Sequence, residues 1–485
     1  MSSYFLLIPI LLPMLAGASM IFVPFSDRAR RIFAITVTTV TAVITWILIF
    51  TVSEDAAVLI RFTKDTDVRL MLDGAGKLFA ALIASLWSFA LLYAFEYMKH
   101  EDKQRTFYGF YTATMGITLG IAMSGNMLTM YMFYEALTLS TVPLVACTLT
   151  KEAVKSAKKY MVYSIGGAAF AFVGIAYLIF VEPSGAFTLG GYIGADSVSL
   201  YWAQIIYVIA FIGFGVKAAI FPLHAWLPSA SVAPTPVTAL LHAVAVVKAG
   251  AFAIIRLTHY AFGADLLRGT AAQYTVIVIS AVTILFGSAG ALRQFHLKKR
   301  LAYSTVSNLS YILLGVSMMS LEGLSAAFLH FWVHSIVKIV AFFAVGAIMH
   351  FNSRENIYEL DGISRKMPIT SLCFAISALA LTGIPPLTGF ISKFMLCRSA
   401  VLDGSVFAVL GAVALIISAI LTAVYMLKPA IRMYFPHTGK DLSGLSEVRE
   451  ANALMLIPMI ALCVLSLVAV FFSNELIALV GEVLS

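Results

Sequence analysis

Apolar runs of about twenty residues recur along almost the whole chain, separated by short polar intervals. A helix needs about 20 apolar residues to cross the hydrocarbon core of a bilayer. The pattern therefore predicts fourteen spans, over approximately 3–24, 32–52, 76–98, 106–123, 126–148, 160–181, 201–231, 234–258, 272–293, 301–320, 325–350, 368–402, 406–429 and 452–473. The longest polar intervals, 53–70, 182–197, 351–367 and 435–451, are all loop-sized. The expectation is an all-α polytopic membrane protein, one integral membrane domain over 1–485 without a soluble domain.

Two spans are overlong and interrupted. Pro222, Pro228, Pro234 and Pro236 punctuate 213–237, and Gly383, Pro385, Pro386 and Gly389 punctuate 381–394. Proline removes a helix donor and clashes with the preceding turn. Inside a membrane such a break persists only where protein or water satisfies the freed backbone. Each break carries a lysine, Lys217 and Lys393. The broken spans are the seventh and twelfth, the fourth members of two successive sets of five. An odd number of spans inverts the second set relative to the first, the arrangement of repeat-built transporters. The predicted organisation is N-terminal helices over 1–105, a first inverted unit over 106–258, a second over 272–429, and a last helix over 452–473.

Composition agrees with a membrane location: 61% of residues are hydrophobic and 12% charged, with a mean hydropathy of +0.95. The net charge of +8 reads as topology and not as a nucleic-acid surface. The first span lacks a basic segment before it and is followed by Arg28, Arg30 and Arg31, so it is not a cleavable signal. Basic loops stay in the cytoplasm, which places the N-terminus outside. Alternation then collects Lys99, Lys103 and Arg105; Lys151, Lys155, Lys158 and Lys159; Arg293, Lys298, Lys299 and Arg300; Arg354, Arg365 and Lys366; and Arg432, Lys440 and Arg449 on the inner side. The outer loops hold Arg61, Lys64, Arg69 and Arg268, and the even span count returns the C-terminus to the outside. Cys147, Cys373, Cys397 and Cys463 lie in apolar runs without a CxxC pair. They predict no disulfide framework, metal site or iron–sulfur cluster, and the histidines do not pair as haem ligands; no cofactor is expected.

Against this background the ionisable residues inside spans stand out. They are Glu135 in MYMFYEALTLS, Lys217 and His224 at the first break, His242 and Lys248 in LLHAVAVVKAG, the stripe His330, His334 and Lys338, and Lys393 after the second break. The members of the stripe are spaced by four and share a helix face. A lysine at the membrane centre costs about 2.5–3.5 kcal/mol on insertion scales, so the set together costs on the order of 10 kcal/mol, which packing alone seldom justifies. Burial disfavours a lysine's ammonium form and an approaching carboxylate restores it. Motion between Glu135 and Lys217 would thus switch that lysine between holding and releasing a proton, while histidine relays through either ring nitrogen. Glu135, Lys217, Lys248, His334, Lys338 and Lys393 are the candidate proton carriers. For His224, His242 and His330 a relay role and a structural one, capping a broken helix or bonding a carbonyl, stay equally open. Ser304, Thr305, Ser307 and Asn308 in RLAYSTVSNLSY either order water along the row or serve helix packing. His259, His296, His350 and His437 read as ordinary loop-end residues, and Arg256 and Arg398 as snorkelling side chains near span ends.

The segments GFGVKAAIFPLHAWLPSASVAPTPVTALLHAVAVVKAGAFAIIR (213–256), RLAYSTVSNLSYI (300–312), HFWVHSIVKIVAFFAVG (330–346) and GIPPLTGFISKF (383–394), with Glu135 upstream, resemble the antiporter-like membrane subunits. These occur in proton-pumping NADH dehydrogenase (respiratory complex I), in Mrp-type sodium/proton antiporters and in membrane-bound hydrogenases. The resemblance covers nearly the whole chain. It implies fourteen helices in two inverted five-helix units, a central hydrophilic axis, and a place as one ion-translocating module in a larger prokaryotic plasma-membrane assembly. By that resemblance Glu135 and Lys217 form the Glu–Lys pair of the first half-channel and Lys248 the central connecting lysine. His334 and Lys338 form the His-x3-Lys of the second unit, and Lys393 is its terminal ionisable group. No long lateral helix follows the last span, and lysine instead of glutamate occupies 393, which fits the shorter branches.

The function expected is translocation of H+, with possible exchange for Na+, by a subunit without a redox centre of its own. Homologous antiporter-like membrane subunits and peripheral redox subunits are the expected partners, with the lipid bilayer around them and no nucleic acid. A stand-alone secondary transporter of a small ion or metabolite is the alternative, and a structural anchor for a redox arm a third reading.

Overall fold

The computed structural model describes all residues except 1–2, 54, 100, 102, 195–197, 438–444, 473–474, 476, 479 and 482–485. Lys440 therefore lies outside the described residues. The N-terminal helices are α1 (Leu7–Phe22), α2 (Asp27–Thr51) and α3 (Gly74–Tyr97), with strands β1 (Ala57–Arg61) and β2 (Asp67–Leu70) between the last two. Next come α4 (Gln104–Ala122), α5 (Met127–Val145), α6 (Lys151–Val181), α7 (Leu200–Gly215), α8 (Trp226–Ala230), α9 (Thr235–Ala243), α10 (Val246–Ile255) and the short α11 (Ala264–Leu267). The rest comprises α12 (Ala271–Arg293), α13 (Leu297–Ser317), α14 (Leu321–Asn352), α15 (Pro368–Thr382), α16 (Thr388–Asp403), α17 (Val406–Tyr434) and α18 (Ala453–Phe471).

Each predicted span corresponds to one of these helices or to a consecutive pair, so the polytopic all-α expectation holds. Nine described helical segments are individually long and apolar enough to cross a membrane. The others fall short for local reasons: α7 and α15 are cut by the breaks, and polar positions interrupt α4, α5 and α13. Helix starts follow the capping side chains. Asn126, Thr150, Ser320, Ser405 and Asn452 accept the N–H groups of Thr129, Ala153, Gly323, Ala408 and Met455.

Burial separates an inner from an outer layer. The most apolar window of α14 is 94% buried, whereas those of α2, α6 and α17 are 39% buried. The outer helices present large apolar side chains such as Phe22, Phe50, Val162 and Phe180. A surface that apolar is stable against lipid and not against water. Close approach relies on small residues: a Cβ on Gly389 would run into the Ala380 carbonyl, which holds α16 against α15 across the second break.

Three local features depart from the sequence reading. Part of the 53–70 interval, read as loop, folds into an antiparallel hairpin with Ala57 opposite Leu70 and Arg61 opposite Asp67. The 234–258 span is not continuous: α9 ends at Ala243, Val244 and Ala245 both donate to the Leu240 carbonyl, and α10 then widens into a π-helix over Arg256–Phe262. No proline or glycine marks that discontinuity, so periodicity alone could not place it. Lys298 and Arg300, read as inner-loop residues, belong to the first turn of α13 and are buried, because they satisfy the carbonyls of Ala233, Gln294 and Tyr425.

Candidate functional site

Both breaks place a lysine among backbone groups that have left the helix. At the first, α7 stops at Gly215 and the chain turns, with the Ile220 N–H donating to the Gly215 carbonyl. The Trp226 indole donates to the Val216 carbonyl at 2.8 Å, and the Thr283 hydroxyl accepts the Phe221 N–H at 3.0 Å. Protein groups thus satisfy the interrupted backbone, as a break at membrane depth demands. Lys217 projects from this turn to the Tyr134 carbonyl of α5 and lies over the Tyr134 ring, with Glu135 Oε1 3.5 Å from its amine. The lysine side chain is 1% exposed and the glutamate 28%. At the second break Gly383 takes the left-handed conformation that ends α15 (φ +88°). One helical turn into α16, Lys393 donates to the Leu381 and Thr382 carbonyls at 2.6 and 3.1 Å. A cation at the C-terminal end of a helix also complements the helix dipole.

Between the breaks lie α10 and α14. The Lys248 amine stands 3.1 Å from His334 Nδ1 and over the Phe331 ring. Lys217 and Lys248 belong to touching elements: a Cβ on Gly250 would press against the backbone of Lys217 and Ala218. On α14 the stripe is assembled as its spacing predicted, yet each member has a different partner. His330 Nδ1 meets the Ser392 hydroxyl at 3.0 Å, next to Lys393 in sequence. Lys338 donates to the Ser304 hydroxyl at 2.8 Å and the Leu301 carbonyl at 3.2 Å. His330 and His334 ring centres are 6.0 Å apart. The structure therefore brings Glu135 to Lys217, Lys248 to His334, and the His330 and Lys393 neighbourhoods together.

The remaining candidates behave differently. His242 does not share a continuous helix with Lys248, since the chain break falls between them. It packs on Phe342, and neither ring nitrogen has a protein partner. His224 packs among Phe221, Phe286 and Tyr303, and its Nδ1 has no protein partner. The Nε2 atoms of His330 and His334 are likewise without protein partners. Of the α13 hydroxyl run, Ser304 joins the lysine network, Thr305 and Ser307 bond carbonyls of their own helix, and Asn308 leaves its Oδ1 unpaired.

Sequence reasoning missed two sets of residues. The first is a buried ion pair: Arg256 donates to both carboxylate oxygens of Asp73, at 2.5 and 2.6 Å. This corrects the snorkelling assignment, since Arg256 is 0% exposed. Its guanidinium is enclosed by the Phe187, Phe252 and Tyr260 rings as well as by Asp73, and no route leads it to a headgroup. Arg398, by contrast, is exposed near the end of α16. An acid directly before the helix-opening Gly74-Ala75-Gly76 was the available signal for Asp73, which also caps α3 through the Gly76 N–H. The second set is a hydroxyl series between α13 and α17. Tyr425 donates to Ser304 at 3.1 Å and touches Thr422 at 3.0 Å. Ser418, one turn earlier on α17, meets the Tyr311 hydroxyl at 2.5 Å, and the Tyr311 ring lies under the Lys393 amine. Serine, threonine and tyrosine in apolar helices carry no sequence mark separating such a series from ordinary packing.

Comparison with known proteins agrees with this architecture. Residues 124–422 match the family described as NADH:quinone oxidoreductase/Mrp antiporter, transmembrane. The chain is 31% identical over 434 residues to an Na(+)/H(+) antiporter subunit from Alkalihalophilus pseudofirmus, covering 84% of this chain and 53% of that protein. It is 30% identical over 432 residues to an Na(+)/H(+) antiporter subunit from Staphylococcus haemolyticus, with the same shares covered. The chain thus spans about half the length of the curated relatives it matches. Among solved structures it is similar to a chain of the Mrp complex from Dietzia sp. DQ12-45-1b, with a TM-score of 0.86 at 21% identity over 99% of this chain and 96% of that one. It is also similar to a chain of the membrane-bound sulfane sulfur reductase, an archaeal respiratory membrane complex (TM-score 0.85, 23% identity, 99% and 97% covered). These two likenesses concern the fold. With the matched segment enclosing both broken helices and all six candidate carriers, the chain belongs to the NADH:quinone oxidoreductase/Mrp antiporter transmembrane family.

Proposed function

We propose that the chain is a proton-translocating, antiporter-like subunit of a multisubunit membrane complex, moving H+ along Glu135, Lys217, Lys248, His334, Lys338 and Lys393. The observation that carries this reading is a charge imbalance. The four lysines of this row are buried in the bundle, and Glu135, beside Lys217, is the one described carboxylate within ion-pair distance of any of them. Lys248, Lys338 and Lys393 rest on a histidine, hydroxyls and carbonyls. A buried ammonium without a counter-charge costs several kcal/mol, and passing its proton to a neighbour relieves that cost. The unpaired ring nitrogens of His242, His330 and His334 supply acceptor and donor sites for bridging water along the same line.

The units over 106–258 and 272–429 would be inverted copies, each contributing one lysine-bearing break. The Lys/Arg-rich loops would face the cytoplasm, with both termini outside. The partly open carboxylate of Glu135, on a helix whose outer face carries Met132 and Leu139, fits contact with a further membrane subunit better than contact with lipid tails. Homologous membrane subunits, joined by redox subunits or by other antiporter subunits that permit Na+ exchange, would supply the driving event.

Proteoliposomes test the reading. The chain reconstituted with its co-purifying subunits is expected to acidify or alkalinise the lumen when the complex is driven. The purified chain alone is expected to leave the dye signal at the liposome background. Transport by the chain alone would instead establish a stand-alone carrier.

A further inference from the structure

The basic end of the bundle contains a cavity of about 830 Å³ between the two predicted units. Its walls come from the first turns of α6 and α13, the segment around α8, and the end of α14. Lys155 and Lys159 line one side and Lys298 and Lys299 the other, with Glu152 and Glu355 as the acidic members. Glu355 is already engaged by His296 at 3.4 Å. Lys159 is held in the wall by its bond to the Ser229 hydroxyl at 3.1 Å. Four lysines against two carboxylates leave the lining positive. None of these lysines belongs to the proposed proton row.

What lies next to the cavity is apolar. One turn beyond Lys159 on α6, Val162 is 66% and Ile165 50% exposed, and Phe170 continues the stripe. On the facing side Tyr303, which lines the cavity, packs on His224, and His224 packs on Phe286 of α12, itself partly exposed. Phe221 packs at a tilt on the same Phe286 ring, beside the exposed Pro222. A positive recess thus adjoins exposed apolar surface on α6 and α12.

We propose that this recess binds the headgroup of an anionic phospholipid, its phosphate held by Lys155, Lys159 and Lys299 and its acyl chains lying along Val162, Ile165 and Phe286. A free phosphate would satisfy the lysines but leave the apolar surface unused; the amphiphile matches both. Basic recesses between helices at the cytoplasmic side of membrane proteins recognise lipid phosphates on these terms. The lipid would bridge α6 and α13, clamping the two units at one end without entering the proton row.

Native mass spectrometry of the full chain from mixed micelles tests this, with cardiolipin and phosphatidylcholine offered in equal amounts. Cardiolipin is expected to be retained preferentially, with the preference falling about fivefold for each lysine removed in Lys155→Gln, Lys159→Gln and Lys299→Gln. Lys158→Gln, exposed on the same helix but outside the cavity, is expected to keep the parent preference. Millimolar inorganic phosphate should not displace the lipid. Equal retention of both lipids, an unchanged preference in Lys155→Gln/Lys159→Gln, or displacement by phosphate would each overturn the assignment.

Discussion

Lys217→Ala is expected to reduce proton transport by the reconstituted complex at least tenfold, to the liposome background, while the complex still assembles. The side chain is the partner of both the Glu135 carboxylate and the Tyr134 carbonyl, so the proposed row would lose the amine beside its carboxylate. Assembly should survive. The break's backbone is satisfied by Trp226 and Thr283, not by the lysine, and Glu135 retains partial access to the surroundings. A tenfold loss corresponds to about 1.4 kcal/mol of barrier. Lys217→Arg separates charge from proton carriage. Arginine preserves the cation but does not give up its proton in proteins, so it should transport as poorly as the alanine variant. Transport in Lys217→Arg at the parent rate would assign the lysine an electrostatic role only. Dye-quench flux in proteoliposomes, normalised to complex recovered on native gels, reads all three.

Asp73→Ala has its largest effect on stability. The carboxylate is the ion-pair partner of a guanidinium that is 0% exposed, and removing one member of a buried pair costs about 3–5 kcal/mol because the other is left uncompensated. The three surrounding rings return only part of that, since a cation–π contact contributes about 0.5–2 kcal/mol. Loss of the α3 cap adds about 1 kcal/mol. Thermal unfolding in detergent should shift markedly downward in Asp73→Ala. Asp73→Leu/Arg256→Met, which removes both charges and fills the space, should recover most of the loss. An unshifted midpoint in Asp73→Ala would show that the pair does not anchor α3 to α10.

The two substitutions also show how unevenly the chain reveals itself. The spanning helices were legible because lipid imposes a length and a composition on each. The two breaks were legible because clustered prolines and glycines disfavour a continuous helix. Lys217, Lys338 and Lys393 were visible since a charge in an apolar run has few innocent explanations. The same reasoning failed at Arg256: distance from a span end is a poor guide when helices tilt and the partner lies 183 residues away. It failed again at Lys298 and Arg300, whose carbonyl partners come from distant segments. The discontinuity between His242 and Lys248 carries no breaker residue, and the hydroxyls of Ser418, Thr422 and Tyr425 resemble any packing face. Pairing across helices is a property of the fold, and one sequence records each partner separately.

In the proposed function, protons pass between buried amines and imidazoles through bound water. The most direct test is a structure of the assembled complex in lipid, at a resolution that reveals ordered water. The expected result is a continuous series of water molecules and side chains joining the Glu135–Lys217 pair to Lys248 and His334, and onward to Lys338 and Lys393. Lysine amines sealed from one another by apolar side chains, with no water between them in any state of the driven complex, would contradict it.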